Sequence, residues 1–229
     1  MLTRQSILEG AVQRFAELSG DAGPWLSNAQ RKIILRKLVR DIDTTKGIWL
    51  FGYGSLMWNP AIKFSKKKVG VAYGYHRSFC LWSTIGRGTV DNPGLMLALK
   101  RGGSCRGILY KIDSEDVDTE LDIVLKRELV TTAYRPTWLR IVCEDQLRIP
   151  ALSFAIDLHH PRYSGQLDKN ATATIIAQAK GALGTCSEYL YQTVDQLEQL
   201  NIPDKNLSYL ATEVRKIEKS AAIDKFLHT

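Results

Sequence analysis

Cysteine is scarce in this sequence, and its spacing excludes several classes of protein. There are only four cysteines, at Cys80, Cys105, Cys143 and Cys186. No two of them are close enough along the chain for the CxxC pairs of zinc ribbons and thioredoxin-like enzymes. Three lie inside apolar segments, where a free cysteine commonly behaves as a small buried hydrophobic residue. We therefore expect unpaired thiols and a reducing compartment.

Long apolar runs are also absent. No segment approaches the roughly 20 apolar residues that a membrane-spanning helix needs. The first 18 residues, MLTRQSILEGAVQRFAEL, distribute charged residues among the apolar ones and so lack the continuous apolar region of a signal peptide. The sequence therefore predicts a cytoplasmic protein with no membrane insertion.

The charge balance is basic but carries no nucleic-acid signature. A formal net charge of +7 favours acidic partners, which include nucleic acid, anionic membrane surfaces and small anionic substrates. The basic residues are scattered apart from one run, Lys66–Lys68, which is more typical of a solvated turn. Since no zinc-finger, RNP or helix-turn-helix pattern accompanies it, we expect no nucleic-acid partner. The 45% hydrophobic and 24% charged residues are ordinary for a globular domain.

Patterns of apolar residues and glycine predict an α+β fold. We expect residues 1–46 to form an N-terminal helical extension packed on a domain of residues 47–229, without internal repeats. The predicted helices lie at about 4–18, 28–42, 114–129 (capped by Ser114), 171–182, 187–200 and 207–218. The predicted strands lie at 48–53, 69–82, 94–101, 106–112, 137–143 and 149–156, and strands on both sides of a central helix indicate a mixed sheet or barrel.

The first strand runs into an unusual glycine turn, LFGYGSL. Gly52 and Gly54 flank Tyr53, and glycine permits positive φ and close approach of backbone to backbone or ligand. Such a turn can direct several backbone N–H groups at an anion. It is neither a P-loop nor a GxGxxG motif, because no Lys-Ser or Lys-Thr follows it. From these residues alone, both a structural bend and a carboxylate-binding loop are possible.

Glu128 lies on the apolar face of the predicted helix at 114–129. At about 100° per residue, it falls about 20° from Val117 and so joins the apolar stripe. A buried carboxylate needs a partner or a raised pKa, and a raised pKa makes a glutamate a general base or acid. The alternatives are a partner such as Arg127, or a helix end that already reaches water. The stripe comprises Val117, Leu121, Val124 and Leu125, with Glu115, Asp122 and Lys126 opposite.

Five segments in order resemble the ChaC-like family of γ-glutamylcyclotransferases: WLFGYGSLMWNP, RGTVDNPGLMLAL, RGILYKI, LKRELVTTAYRPTW and GALGTCSEYL. The resemblance covers about 48–190, and bacterial members also carry a helical leader. It implies a small mixed β-barrel flanked by helices. It also implies cleavage of glutathione, or of a close γ-glutamyl peptide, to 5-oxoproline and Cys-Gly without metal or cofactor.

By position, the resemblance assigns Glu128 as the catalytic glutamate and Tyr189 as a residue of the same pocket. It assigns the substrate-binding loop to Leu50, Phe51, Gly52, Tyr53, Gly54 and Ser55. Many relatives have arginine at the position of Leu95, which affects recognition of the glycine end of glutathione. Many also have asparagine at the position of Cys186, near Tyr189.

Other functions stay open at this point. The substrate could be another γ-glutamyl peptide or amine, or the chain could be a non-catalytic regulator of cation transport that binds an acidic or membrane-attached partner. A Ser-His-Asp hydrolase is disfavoured because GYGSL lacks the GxSxG elbow. Adjacent His159 and His160 indicate a turn after a strand, since neighbouring histidines do not readily share one metal ion. The sequence does not predict an oligomeric state.

Overall fold

A closed five-stranded barrel forms the centre of the computed structural model, which describes residues 2–21 and 23–227. The strands are β1 (Ile48–Gly52), β2 (Lys66–Ser83), β3 (Gly94–Ile112), β4 (Tyr134–Cys143) and β5 (Arg148–Ile156). Their order is β1-β3-β2-β4-β5, and β1 closes the barrel by pairing in parallel with β5 while its other neighbour is antiparallel. This mixed barrel with flanking helices confirms the predicted fold class.

The hairpin of β2 and β3 is longer than the sequence predicted. The two strands expected at 94–101 and 106–112 are one strand of 19 residues. Gly102 and Gly103 have positive φ, as has Gly74 on the paired strand, and the register shifts there between Tyr73 and Tyr75. The glycines therefore mark an irregularity within a continuous hairpin. The predicted turn at Lys66–Lys68 is also wrong, because these lysines begin β2 and pair with β3.

The helices surround the barrel, and several boundaries differ from the predicted ones. The first predicted helix is two, α1 (Arg4–Leu8) and α2 (Ala11–Leu18), because Gly10 between them has a φ of 79°. Ser114 does not cap α5, since a 3₁₀ turn at Ser114–Asp116 precedes it. The helices are α1, α2, α3 (Asn28–Val39), α4 (Ser55–Trp58), α5 (Val117–Glu128), α6 (Lys169–Gln178), α7 (Cys186–Gln199) and α8 (Lys205–Leu227).

A short hairpin of β6 (Lys180–Gly181) and β7 (Gly184–Thr185) connects α6 to α7, where the sequence predicted that the helix continues to residue 182. Asp168 caps the start of α6 and Thr185 caps the start of α7, each by accepting a hydrogen bond from a backbone N–H. The Thr185 cap fixes where α7 begins. Because Tyr189 lies one turn further on, the cap also sets where Tyr189 meets the end of the barrel.

One hydrophobic core spans the barrel, the flanking helices and the N-terminal segment. Ile7, Val12 and Leu26 of that segment belong to the same buried cluster as Leu50, Leu109 and the apolar side of α5. All four cysteines are buried and unpaired, as predicted. Within residues 2–21 and 23–227, no helix combines the length and apolar character needed to cross a membrane.

Candidate active site

A cavity of about 180 Å³ opens beside the end of β1, where the glycine turn leads into α4. The sequence analysis proposed eight site residues, and five of them line this cavity: Tyr53, Gly54, Ser55, Glu128 and Tyr189. The other three, Leu50, Phe51 and Gly52, form β1 behind the cavity wall and do not line it. The fold thus brings the glycine turn, the end of α5 and the start of α7 to one place.

Close packing explains why both positions flanking Tyr53 are glycine. A Cβ atom on Gly54 would lie 2.8 Å from the Tyr189 hydroxyl, and one on Gly52 would lie 2.9 Å from Leu56 Cβ. Neither glycine has a positive φ, so of the two reasons that the sequence offered, close approach is the one that applies. The turn ends at the first residues of α4, whose N–H groups have no acceptor within the helix. The cavity wall therefore offers backbone donors beside Gly54 and Ser55.

Arg77 holds the glycine turn from behind. Its buried side chain donates a hydrogen bond of 2.9 Å to the carbonyl oxygen of Tyr53 and another to the carbonyl oxygen of Arg106. Its Nε also lies 3.2 Å from a carboxylate oxygen of Asp204 at the start of α8. The sequence analysis missed this residue. The available signal was a cation that alternates with Tyr75 and Phe79 along β2, since a charge on the face of a strand that points to the core requires partners.

Glu128 ends α5 and faces the cavity with only 13% of its side chain exposed. Burial raises the pKa of its carboxyl group, while the positive charge of Arg127 acts to lower it. Arg127 Nε lies 3.3 Å from Oε1 of Glu128. The prediction of a buried glutamate with a raised pKa and the alternative of pairing with Arg127 therefore both hold. A carboxylate in this setting can exchange a proton at the cavity wall.

Arg127 also connects Glu128 to the glycine turn. It donates hydrogen bonds to Ser55 Oγ, at 2.7 Å, and to the carbonyl oxygen of Asn59. These bonds hold the first and last parts of α4 to the end of α5. Since Ser55 belongs to the proposed binding loop, one guanidinium group fixes the distance between that loop and Glu128.

Three tyrosines complete the polar side of the cavity, of which Tyr53 and Tyr189 are buried and Tyr134 is half-buried. Tyr53 donates a hydrogen bond of 2.8 Å to the Phe154 carbonyl, and Tyr134 donates one of 2.7 Å to the Leu97 carbonyl. Burial raises the pKa of the Tyr53, Tyr134 and Tyr189 phenols, and the nearby charge of Glu128 acts in the same direction. These hydroxyls therefore stay neutral and can serve as hydrogen-bonding groups. Sequence reasoning missed Tyr134, which precedes the strand predicted at 137–143 and is the first residue of β4.

The two positions that depart from the family pattern contact each other. Cys186 Sγ donates a hydrogen bond of 3.0 Å to the Leu95 carbonyl and accepts one of 3.4 Å from the Leu95 N–H. Both side chains are buried and neither lines the cavity. One thiol group thus joins the start of α7 to the backbone at the start of β3 through two hydrogen bonds.

His159 and His160 lie in a turn after β5, as predicted. The His160 ring accepts a hydrogen bond of 3.1 Å from the Arg162 N–H and so stabilises that turn. Across residues 2–21 and 23–227, no three His, Cys, Asp or Glu side chains come together as metal ligands would.

The barrel and its cavity define a γ-glutamylcyclotransferase fold. The crystal structure of a selenomethionine-labelled γ-glutamylcyclotransferase specific to glutathione from yeast matches with a TM-score of 0.69 at 22% sequence identity. The match covers 75% of this chain and 96% of the yeast chain. It shows the same arrangement of strands and helices over nearly all of that protein.

The sequence comparisons identify the family within this fold. The model of the ChaC-like protein family matches residues 48–217. Glutathione-specific γ-glutamylcyclotransferase of Escherichia coli K12 is 42% identical over 170 residues, which is 74% of either chain. The human glutathione-specific γ-glutamylcyclotransferase 1 is 32% identical over 179 residues, or 76% of this chain and 80% of the human one. The chain belongs to the ChaC-like family, which confirms the resemblance.

Proposed function

We propose that this chain is a glutathione-specific γ-glutamylcyclotransferase, which converts glutathione to 5-oxoproline and Cys-Gly. The observation that carries the proposal is the position of Glu128. It is a carboxyl group of raised pKa that lines the same cavity as the glycine turn. The names of the E. coli and human relatives support the choice of substrate.

The glycine turn binds the γ-glutamyl end of the substrate in this proposal. The α-carboxylate of that end carries a negative charge and accepts several hydrogen bonds. Successive backbone N–H groups in such a turn supply donors of this kind. Gly54 has no side chain to block the approach, and Ser55 is held by Arg127. Binding the carboxylate here folds the substrate so that its α-amine faces its own γ-carbonyl.

The reaction is an intramolecular attack of the α-amine nitrogen on the γ-carbonyl carbon. The new C–N bond closes the 5-oxoproline ring, and the bond from that carbon to the cysteinyl nitrogen breaks. Holding two reacting groups in this geometry can supply about 7–11 kcal/mol of the barrier. No covalent enzyme intermediate is needed, so the proposed role of the chain is to fold the substrate and move a proton.

Glu128 carries that proton. An α-amino group has a pKa of about 8 and a free glutamate about 4.3, so an unperturbed glutamate would face an uphill transfer of roughly 5 kcal/mol. Burial reduces this difference because it raises the pKa of Glu128. The same carboxyl group then protonates the leaving cysteinyl nitrogen, so that it acts first as a base and then as an acid.

The test is to incubate the purified chain with glutathione and quantify 5-oxoproline and Cys-Gly by mass spectrometry. We expect equal amounts of both products, and a loss of at least about 100-fold in kcat for Glu128→Gln. Glu115→Gln is the matched control, since Glu115 is exposed in the 3₁₀ turn just before the same helix. Wild-type activity in Glu128→Gln would refute the assigned role of Glu128.

The same variant distinguishes the alternatives. Another γ-glutamyl peptide or amine as the true substrate predicts faster turnover of that compound than of glutathione in a substrate panel. A non-catalytic regulator of cation transport requires no role for Glu128. It instead predicts that substitution of Lys66–Lys68 at the start of β2 abolishes function while Glu128→Gln preserves it.

A further inference from the structure

The N-terminal segment forms part of the cavity wall, although it lies outside the part of the chain that the family model matches. That match begins at residue 48. Leu2, before α1, and Val12, in the first turn of α2, both line the cavity. Val12 is buried, and Leu2 is half-buried. Two apolar side chains are thus added to a site whose polar groups all come from the barrel and the helices after it.

Hydrogen bonds hold this segment to residues on several sides of the cavity. The Asn59 side chain donates a bond of 2.8 Å to the Leu2 carbonyl, and the Leu26 N–H donates one of 2.9 Å to the Val130 carbonyl. Asn59 and Val130 themselves line the cavity. Leu2 and Val12 are therefore held against the cavity by one bond before α1 and one bond after α2.

Buried charges add two further attachments. Arg4 forms a two-pronged ion pair with Glu120 of α5, a carboxylate that is completely buried. In the connection after α2, Asp21 pairs with Arg162, which also lines the cavity. The Trp25 ring lies 5.1 Å from the same guanidinium. A wall attached in this way is preorganised, so its side chains can discriminate between substrates.

From these contacts we infer that Leu2 and Val12 contact the cysteinyl side chain of the substrate and select for it. The inference rests on the proposed function. Leu2 and Val12 offer no hydrogen bonds, so the charged α-amine and α-carboxylate of the glutamyl end would lose solvation against them without compensation. The same holds for the carboxylate of the glycine end. The cysteinyl CH₂–SH group is the one uncharged side chain that branches from the tripeptide backbone of glutathione, and it gains from apolar contact.

The experiment compares glutathione with γ-glutamyl-glycyl-glycine, which lacks only the CH₂–SH group. Loss of an apolar contact of this size typically changes discrimination by about tenfold. We therefore expect Val12→Ala and Leu2→Ala to lower kcat/KM for glutathione about tenfold and to change that for γ-glutamyl-glycyl-glycine less than twofold. Leu18→Ala is the matched control, because Leu18 lies on the same helix as Val12 with 83% of its surface exposed.

The result that overturns the inference is an equal loss for both peptides, or no loss for either, in Val12→Ala and Leu2→Ala. An equal loss means that these side chains only stabilise the fold. Titration of both peptides into the Glu128→Gln protein, with and without Val12→Ala, gives the same comparison from Kd if γ-glutamyl-glycyl-glycine turns over too slowly. If the wild-type chain neither binds nor turns over any γ-glutamyl peptide, the proposed function fails first, and this inference fails with it.

Discussion

Glu128 occupies a position that costs folding energy, and the local sequence reduces that cost. Burial disfavours its charged form, and the adjacent Arg127 in part compensates. Because Arg127 also binds Ser55 and Asn59, the group that limits the cost of the charge is the one that positions the glycine turn. Two consecutive residues at the end of one helix thus set both the proton affinity and the geometry of the proposed site.

This cost predicts how the stability of Glu128→Gln depends on pH. The pKa of Glu128 is raised in the folded state. The carboxyl group therefore destabilises the fold once the pH exceeds the pKa of the unfolded state, and this destabilisation disappears as the pH falls back below that value. We expect Glu128→Gln to melt at a higher temperature than the wild type at pH 8, with the difference vanishing toward pH 4. Thermal unfolding across this range, with Glu115→Gln as control, tests it. A variant that is less stable at pH 8 would contradict the raised pKa.

The contact between Gly54 and Tyr189 gives a prediction about stability. A Cβ at position 54 would lie 2.8 Å from the Tyr189 hydroxyl, and the next atom is 3.7 Å away. We expect Gly54→Ala to lower the free energy of unfolding by about 1–3 kcal/mol through overpacking. Tyr189→Phe removes the clashing oxygen, so the double variant should regain most of that stability. Chemical denaturation of the two single variants and the double variant tests this coupling, and purely additive effects would rule it out.

These residues also show which parts of the site the sequence could predict. Glu128 was predictable because helical spacing alone places it among Val117 and Leu121, which the structure confirms as buried. Arg77 and Tyr134 were not, because the partners that give them a role are backbone carbonyls of Tyr53 and Leu97, distant in sequence. A strand pattern gives the face of a residue, but the carbonyl that it meets depends on how the barrel closes.

For helices and strands, the sequence predicted which elements exist better than it predicted where they begin and end. The positions of the strands were predicted well, because segments rich in branched and aromatic residues are bounded by glycine. The lengths of the strands were not predicted well. Glycine can end a strand, or it can cause an irregularity within a strand that continues. Gly74, Gly102 and Gly103 cause such an irregularity within the hairpin of β2 and β3. Gly10 separates α1 from α2, where the apolar pattern continues through the break. In each case tertiary pairing decides between two uses of the same residue.

The attachment of α1 to α5 depends on one buried ion pair. Glu120 has no exposed surface and accepts hydrogen bonds from Arg4 and from the Lys63 N–H, at 3.0 Å for the latter. Arg4 keeps 30% of its side chain exposed, so it is the partner that can turn to water. Breaking the pair would therefore leave the Glu120 charge buried without a charged partner, whereas the Arg4 charge could still be solvated.

We expect Arg4→Met to lower the free energy of unfolding by about 2–4 kcal/mol, because it leaves Glu120 buried with only a backbone donor. Adding Glu120→Gln should restore part of the loss, since a neutral amide is cheaper to bury than a charge. Arg36→Met, at an exposed position of α3, is the control for removing a surface charge. Urea denaturation of the three variants measures the difference. Equal stability of Arg4→Met and the wild type would show that the ion pair contributes nothing.

In the molecule as a whole, the N-terminal segment belongs to the same core as the barrel. Ile7, Ala16 and Leu26 are each at least 90% buried. The backbone of α3 also accepts a hydrogen bond of 3.3 Å from Trp138 on β4. The sequence predicted a segment packed on the domain, yet the surface that it covers was beyond prediction, because that surface combines residues as far apart in sequence as Asn59 and Arg162.

A chain that begins at Lys46 tests this integration. Removing residues 1–45 exposes the apolar surface that Ile7, Val12 and Leu26 cover. It also leaves the buried Glu120 without Arg4. Full burial of such side chains contributes about 1.5–3 kcal/mol each, so we expect a loss of at least about 5 kcal/mol. For a domain of this size, that loss corresponds to a Tm about 10–20 °C lower. Residues 1–45 supplied as a separate peptide should restore part of it. A shortened chain that melts within a few degrees of the full one, with unchanged kcat/KM for glutathione, would mean that the segment neither supports the fold nor forms part of the working site.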